Sequence, residues 1–142
     1  MKKKGPEQKI AEAIKKWLER KYKNRKVYSI TANCRASEKT DVLVEKGGKP
    51  ILQIETKASY ANLWHGVGEA MYYNMENGIP TFLAIPYGLR GGTKRKGMEW
   101  YGWEEATKIY KHYKINIGVL MVAEDNSVEI KHDPRNFFHS RS

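Results

Sequence analysis

The sequence predicts an α/β protein, a three-layer domain in which a central mixed β-sheet is flanked by helices. Three observations carry that expectation. Helix-spaced and strand-spaced apolar segments interleave along the chain. Residues 40–57 hold two alternating runs joined by Lys46-Gly47-Gly48-Lys49-Pro50, a hairpin signature. Residues 79–86, Ile-Pro-Thr-Phe-Leu-Ala-Ile-Pro, are almost unbroken apolar, the pattern of a central strand covered on both faces.

The elements follow in order. Residues 7–22 are expected to be helical: Ile10, Ile14, Trp17 and Leu18 recur at helical spacing, Pro6 suits the first turn, and Glu7 complements the helix dipole there. Residues 26–31 read as a strand and 32–39 as a polar loop. The hairpin comes next, Thr40–Glu45 with Ile51–Lys57. Residues 62–77 form a second expected helix, ended by Asn77-Gly78. After the apolar strand, residues 88–98 make a glycine-rich basic loop. A third helix at about 103–113 and a last hairpin, about 116–123 with 127–132 and turning at Asp125-Asn126, complete the pattern. The segment after Pro134 is expected to be loose. No stretch repeats another, so residues 1–142 are expected to form one domain, with its core at about 7–86 and a C-terminal extension of helix and β-hairpin at about 99–133.

Composition narrows the function classes. Apolar residues at 40% and charged residues at 30% are ordinary for a globular chain. No apolar run is long enough to span a membrane, and the basic start lacks the apolar stretch of a secretory signal. A cytoplasmic protein, of a prokaryotic cell or a virus-infected host, is the expectation. With one cysteine, Cys34, neither an internal disulfide nor a cysteine-rich metal site can form. Lys and Arg number 26 against 16 acids, a formal charge of +10 that favours a polyanionic partner such as DNA.

The chemistry is expected at the central hairpin. Period two puts Ile51, Gln53, Glu55 and Lys57 on one face of the second strand, and Leu52, Ile54 and Thr56 on the other. A plain two-residue Gly47-Gly48 turn would pair Asp41 with Ile54 and split the apolar set. A register shifted by one pairs Val42 with Ile54, Val44 with Leu52 and Asp41 with Glu55. Burial should select the second register, which needs an odd-length loop or a bulge. It brings Asp41, Glu55 and Lys57 side by side. Two adjacent carboxylates repel each other unless a hard cation joins them, and Mg²⁺ typically takes one or two carboxylates plus waters and substrate phosphate. A lysine beside them can orient or deprotonate a water whose pKa the metal lowers. Glu-x-Lys alone is a common tripeptide; Asp41 at matching register makes it specific.

Asp41, thirteen intervening residues and Glu55-Thr56-Lys57 resemble the motif of the PD-(D/E)xK nuclease superfamily, the restriction-endonuclease-like fold. The resemblance covers about residues 7–86, including the order helix, strand, hairpin, helix, strand. It is nearest in style to archaeal Holliday junction resolvases and small archaeal or viral nucleases. Thr40 stands where the motif's proline would be. The resemblance implies Mg²⁺, with Mn²⁺ as a substitute, held by Asp41, Glu55 and the carbonyl of Thr56, and Lys57 near the attacking water. It also implies a first-helix glutamate reaching the metal. Glu7 extends the inward face of Ile10 and Ile14, whereas Glu12 points toward solvent, so Glu7 is the expected third acid ahead of Glu12 and Glu19. On the second helix, Glu69-x-x-x-Tyr73 resembles a Gln-x-x-x-Tyr found beside the site in some branches, with Glu replacing Gln. His65, Glu69, Tyr72 and Glu76 share a stripe there, and the small Gly66, Gly68 and Ala70 let the helix approach the sheet.

Arg90, Lys94, Arg95 and Lys96 in the basic loop, with Lys39, Lys46 and Lys49 around the hairpin, are expected to grip a phosphate backbone. Tyr60, Trp64 and Trp100 are candidates to stack on bases. No sequence-reading motif accompanies them, so recognition by shape and charge is expected. The sequence therefore predicts a metal-dependent deoxyribonuclease of little sequence specificity. The alternatives are a dimeric, structure-specific junction resolvase and a non-catalytic nucleic-acid-binding protein.

Overall fold

The computed structural model describes residues 6–32, 41–58, 63–87 and 101–138. Helix α1 (Pro6–Lys21) leads into strands β1 (Tyr28–Ala32), β2 (Val42–Lys46) and β3 (Lys49–Thr56). Helix α2 (Leu63–Asn77) connects to β4 (Thr81–Pro86), α3 (Gly102–His112) to β5 (Ile117–Val122), and β6 (Val128–His132) follows. The six strands lie in sequence order in one mixed sheet. The steps β1–β2, β2–β3 and β5–β6 are antiparallel, while β3–β4 and β4–β5 are parallel. Each parallel step carries a helix that returns the chain to the same end of the sheet.

Two apolar layers hold this together. Ile10, Ile14 and Leu18 of α1 pack against Val42, Val44, Leu52, Ile54, Phe82 and Ala84 on one face. Leu63, Val67 and Ala70 of α2, with Ala106 and Tyr110 of α3, pack against Leu83, Ile85, Ile117 and Val119 on the other. β4 therefore divides its side chains between both layers, as its apolar run predicts. Each fully buried Leu or Ile contributes roughly 1.5–3 kcal/mol of transfer free energy. The C-terminal helix and hairpin are not peripheral: β5 is buried along its whole length between β4 and β6.

The central hairpin adopts the register that burial selects. Val42 pairs with Ile54 and Val44 with Leu52, after which the register slips so that Glu45 pairs with Pro50 and Lys46 with Lys49. The loop itself is two residues, Gly47 at φ 57° and Gly48 at φ 83°, a left-handed turn that suits glycine. The bulge, rather than an odd loop, absorbs the extra residue.

Polar side chains at the C-terminal end of α2 and beneath it are paired. Gln53, 1% exposed, donates to Thr81 Oγ1 at 2.9 Å and accepts from Asn77 Nδ2 at 2.8 Å. Asn74 Nδ2 donates to the Ile79 carbonyl at 3.0 Å. This network fixes the C-terminal end of α2 over β3 and β4.

The expectation of a loose tail is corrected as far as Phe138; residues 139–142 lie outside the described residues. Asp133 accepts from the backbone N–H groups of Phe137 and Phe138 at 2.7 and 2.9 Å. Phe138 is buried, with its ring 4.9 Å from those of both Trp17 and Phe82. Two adjacent aromatics bury enough apolar area to outweigh the cost of ordering the turn.

Gly118 of β5 leaves space for this cluster. A Cβ there would overlap the Phe82 ring and stand 2.6 Å from the His132 carbonyl oxygen. Gly118→Ala is expected to destabilise the fold by about 2 kcal/mol, read as a lower urea midpoint at unchanged slope. An unchanged midpoint would show that the ring and strand yield without cost. Among the described residues, no helix is long and apolar enough to cross a membrane.

Candidate active site

β3 presents Gln53 and Glu55 toward α2, and Lys57 follows on the same side. Glu55 is 4% exposed and Lys57 9%. Asp41 sits half-buried immediately before β2, at the position that the Val42–Ile54 pairing sets opposite Glu55. Its Oδ2 accepts from the Thr56 backbone N–H at 2.9 Å and from the Thr56 hydroxyl at 3.0 Å. Thr56 thereby anchors Asp41 through its side chain as well as its backbone, a role the motif spacing does not reveal.

Burial raises the Glu55 carboxyl to about 10, helped by a hydrogen bond to Asp41 and by the charges of Asp41 and Glu69, against the opposing charge of Lys57. Near neutral pH and without a bound cation, Glu55 is protonated, with its hydrogen bond directed at Asp41.

Lys57 Nζ lies 2.8 Å from Glu69 Oε1. Burial alone would lower the lysine, but the hydrogen bond to Glu69 and the charges of Glu69, Glu7 and Glu55 outweigh it and raise it above its ordinary value. Lys57 is therefore an ammonium at neutral pH. The stem of Lys57 lies against Gly66 of α2, where a Cβ would overlap Cγ and stand 2.9 Å from Cε. Gly66 is thus part of the site. Gly68, expected to help α2 approach the sheet, is exposed and faces open space.

α1 and α2 complete the cluster. Burial raises Glu7, as do Asp41 and Glu69, against the charge of Lys57 and a hydrogen bond from the Ala58 backbone. His65 Nε2 stands 3.2 Å from Glu69 Oε1. Burial and the charges of Glu55, Glu69 and Asp41 raise the Tyr73 hydroxyl. Tyr73 is half-buried, whereas Tyr72 is 54% exposed. The site side of α2 is therefore the His65, Glu69 and Tyr73 stripe.

Glu7, Asp41, Glu55, Thr56, Lys57, Glu69 and Tyr73 thus form one electrostatic neighbourhood. Lys46 and Lys49 do not join it. They flank the turn at the far end of the hairpin, roughly 20 Å along β3 from Glu55. Lys39, Arg90, Lys94, Arg95, Lys96, Thr40, Cys34, Tyr60 and Trp100 lie outside the described residues. Of the other first-helix acids, Glu19 pairs with Arg25 at 3.0 Å, and Glu12 is half-buried in a groove beside Lys9 and Lys16 rather than fully solvated.

Among the described residues, no three His, Cys, Asp or Glu side chains are grouped to hold a metal ion. Glu69 is engaged by Lys57, and one Asp41 oxygen by Thr56. The Asp41–Glu55 pair remains as the hard-oxygen donor set. A Glu55 carboxyl that burial keeps protonated, beside the half-buried Asp41, suits a divalent cation, which would take the proton's place.

No family model matches the chain, and no curated protein matches it. Among solved structures, the chain is similar to Pyrococcus furiosus SfsA in complex with Ca²⁺, at 15% identity and a TM-score of 0.45, over 87% of this chain and 62% of that one. The chain thus spans less than two thirds of that protein's length.

Proposed function

We propose that the chain is a metal-dependent nuclease that hydrolyses DNA phosphodiester bonds with little sequence specificity, built on a restriction-endonuclease-like core of the PD-(D/E)xK type. One observation carries the reading: apolar register sets the half-buried Asp41 beside the buried, protonated Glu55, with the Lys57 ammonium two residues on. Mg²⁺, or Mn²⁺ in its place, would be held by Asp41, Glu55 and the Thr56 carbonyl. When bound, it supplies Lewis-acid polarisation of the phosphoryl oxygen and lowers the pKa of a water.

The residues divide the remaining work. Asp41, fixed by Thr56, orients the donor pair. Lys57, charged through Glu69, neutralises developing negative charge on the phosphoryl oxygens and holds the attacking water, a cation's role rather than a base's. Glu69 keeps Lys57 aimed, and Glu7 adds negative charge at the edge of the cluster. Tyr73 can donate its hydroxyl to a phosphate oxygen. Water attacks phosphorus and releases a proton to bulk solvent, the bond to the leaving oxygen breaks, and that oxygen takes up a proton from bulk solvent.

A panel of labelled duplex, single-stranded, four-way-junction and RNA substrates, with and without Mg²⁺, tests the proposal. The parent is expected to cut with Mg²⁺, and Asp41→Ala and Glu55→Ala to lose on the order of 10³-fold in rate. Undiminished cutting by both variants defeats the assignment. Tight, salt-sensitive binding with no cutting of any substrate makes the chain a non-catalytic binder instead. Strong preference for the junction would specify a resolvase.

A further inference from the structure

The end of the sheet that carries Glu55 and Lys57 has a second opening. Because β3, β4 and β5 are parallel, their C-terminal ends lie together: Lys57 N–H donates to the Ala84 carbonyl at 3.1 Å, and Tyr87 N–H to the Val122 carbonyl at 2.9 Å. On the α1 side of these ends lies a pocket of about 300 Å³. Ile10, Pro86, Tyr87 and Val122 form apolar walls, with Lys9 and Asn126 among the polar lining. Tyr87 is 44% exposed, and its ring stacks on Tyr101 at 5.4 Å and 29°, with Tyr101 in turn stacked on Trp103 at 6.1 Å and 18°. A platform of nearly parallel rings thus ends in one wall of the pocket.

A flat group with an apolar face and polar edges fits these walls. Nucleobases have that chemistry, and stacking on aromatics is how unpaired bases are held. Asn126 and Glu124, which also lines the pocket, can accept a hydrogen bond from an N–H on a base edge. The pocket begins one turn of α1 beyond Glu7 of the candidate site, and Tyr87 is roughly 10 Å along β4 from the Lys57 contact at Ala84. Lys9 and Asn126 also line an adjoining groove of about 390 Å³ that includes Lys16 and Arg20. Basic side chains at 9, 16 and 20 thus extend about 16 Å along α1. The facing Asp125 carboxylate is engaged by its own turn, accepting from the Ser127 N–H and hydroxyl at 3.0 and 2.6 Å, while Glu12 stands among the basic groups.

We propose that the pocket receives an unpaired nucleobase of a single-stranded nucleic acid, stacked on Tyr87, and that the strand's phosphates run past Lys9 toward Lys16 and Arg20. Resting on the nuclease reading, this makes the substrate a strand with unpaired nucleotides beside the bond that is cut. A duplex cannot offer a base to the pocket without unstacking it.

The test is fluorescence anisotropy with a labelled ten-nucleotide thymidine oligomer and a blunt duplex, without divalent cation. The parent is expected to bind the single strand more tightly. Tyr87→Ala is expected to weaken single-strand binding about 5- to 20-fold and leave duplex binding unchanged, while Tyr87→Phe retains it. Lys9→Gln and Arg20→Gln are each expected to lower the salt slope by about 0.7. Single-strand binding unchanged in Tyr87→Ala, or a parent preference for the blunt duplex, overturns the proposal. Should Tyr87→Ala not fold, as read by its melting curve, the salt slopes of the two basic variants decide: a slope unchanged in both overturns it. The two readings fail separately. A parent that cuts nothing with Mg²⁺ but binds through Tyr87 loses the nuclease reading alone. Metal-dependent cutting with Tyr87→Ala equal to the parent in both assays loses the pocket alone.

Discussion

Glu55→Gln is expected to be more heat-stable than the parent above pH 7 when no divalent cation is present. Glu55 is raised from 4.5 to about 10 in the folded chain, so between those values the unfolded chain releases a proton that the folded chain keeps. Stability linked to this group is fully present below pH 4.5 and is lost progressively as pH rises toward 10. Gln is isosteric with the protonated acid and can donate the same hydrogen bond to Asp41 without titrating. At pH 8 the difference should be on the order of 2–4 kcal/mol. That corresponds to a melting temperature higher by roughly 10 °C. Mg²⁺ should reverse the order: it stabilises the parent by displacing the proton, more so at higher pH, and should stabilise Glu55→Gln far less. Melting curves from pH 5 to 9 with and without Mg²⁺ check both halves. A parent whose stability does not fall across that range in the absence of metal would show that Glu55 is ionised, and its buried proton would be lost as an explanation.

Gly66→Ala carries the second large effect. The added methyl would occupy the path of the Lys57 stem at Cγ, close to the backbone, where swinging the chain's far end gives no relief. Either α2 lifts from the sheet or Lys57 leaves Glu69. The expected result is a loss of about 1–2 kcal/mol in stability and, on the nuclease reading, on the order of 100-fold in cutting rate. The shift in melting temperature produced by Mg²⁺ should persist, because Asp41 and Glu55 are untouched. Gly68→Ala is the control: it has open space around it, and removing a helical glycine should be neutral or stabilising by up to about 1 kcal/mol. Equal behaviour of the two alanine variants would mean that Gly66 does not shape the site.

Much of the architecture was legible in one dimension. Val42, Val44, Leu52 and Ile54 alternate with polar residues, and one register alone buries them together; that register set Asp41 opposite Glu55. Helical spacing in α1 placed Glu7 beside the inward-facing Ile10 and Ile14, and it stands within the field of Lys57 and Asp41. The unbroken apolar run of β4 announced a central strand with cover on both faces. Periodicity is a local property, and burial acts on it directly, so these features required no knowledge of distant neighbours.

Tertiary structure decided what depends on residues far apart in the chain. Lys57 could have been read as a base or as a cation; Glu69 beside it makes it a cation. Glu55 could have been an ordinary carboxylate; desolvation under α2 and the neighbouring Asp41 keep its proton on. Phe137 and Phe138 sit in a segment without periodic pattern, and the surface made by Trp17 and Phe82 gives them a place to bury. Tyr87 acquires a role only when Tyr101 stacks behind it and α1 closes a pocket in front. Desolvation, charge coupling and ring stacking fall off over a few ångströms of space, and sequence spacing carries no measure of that distance.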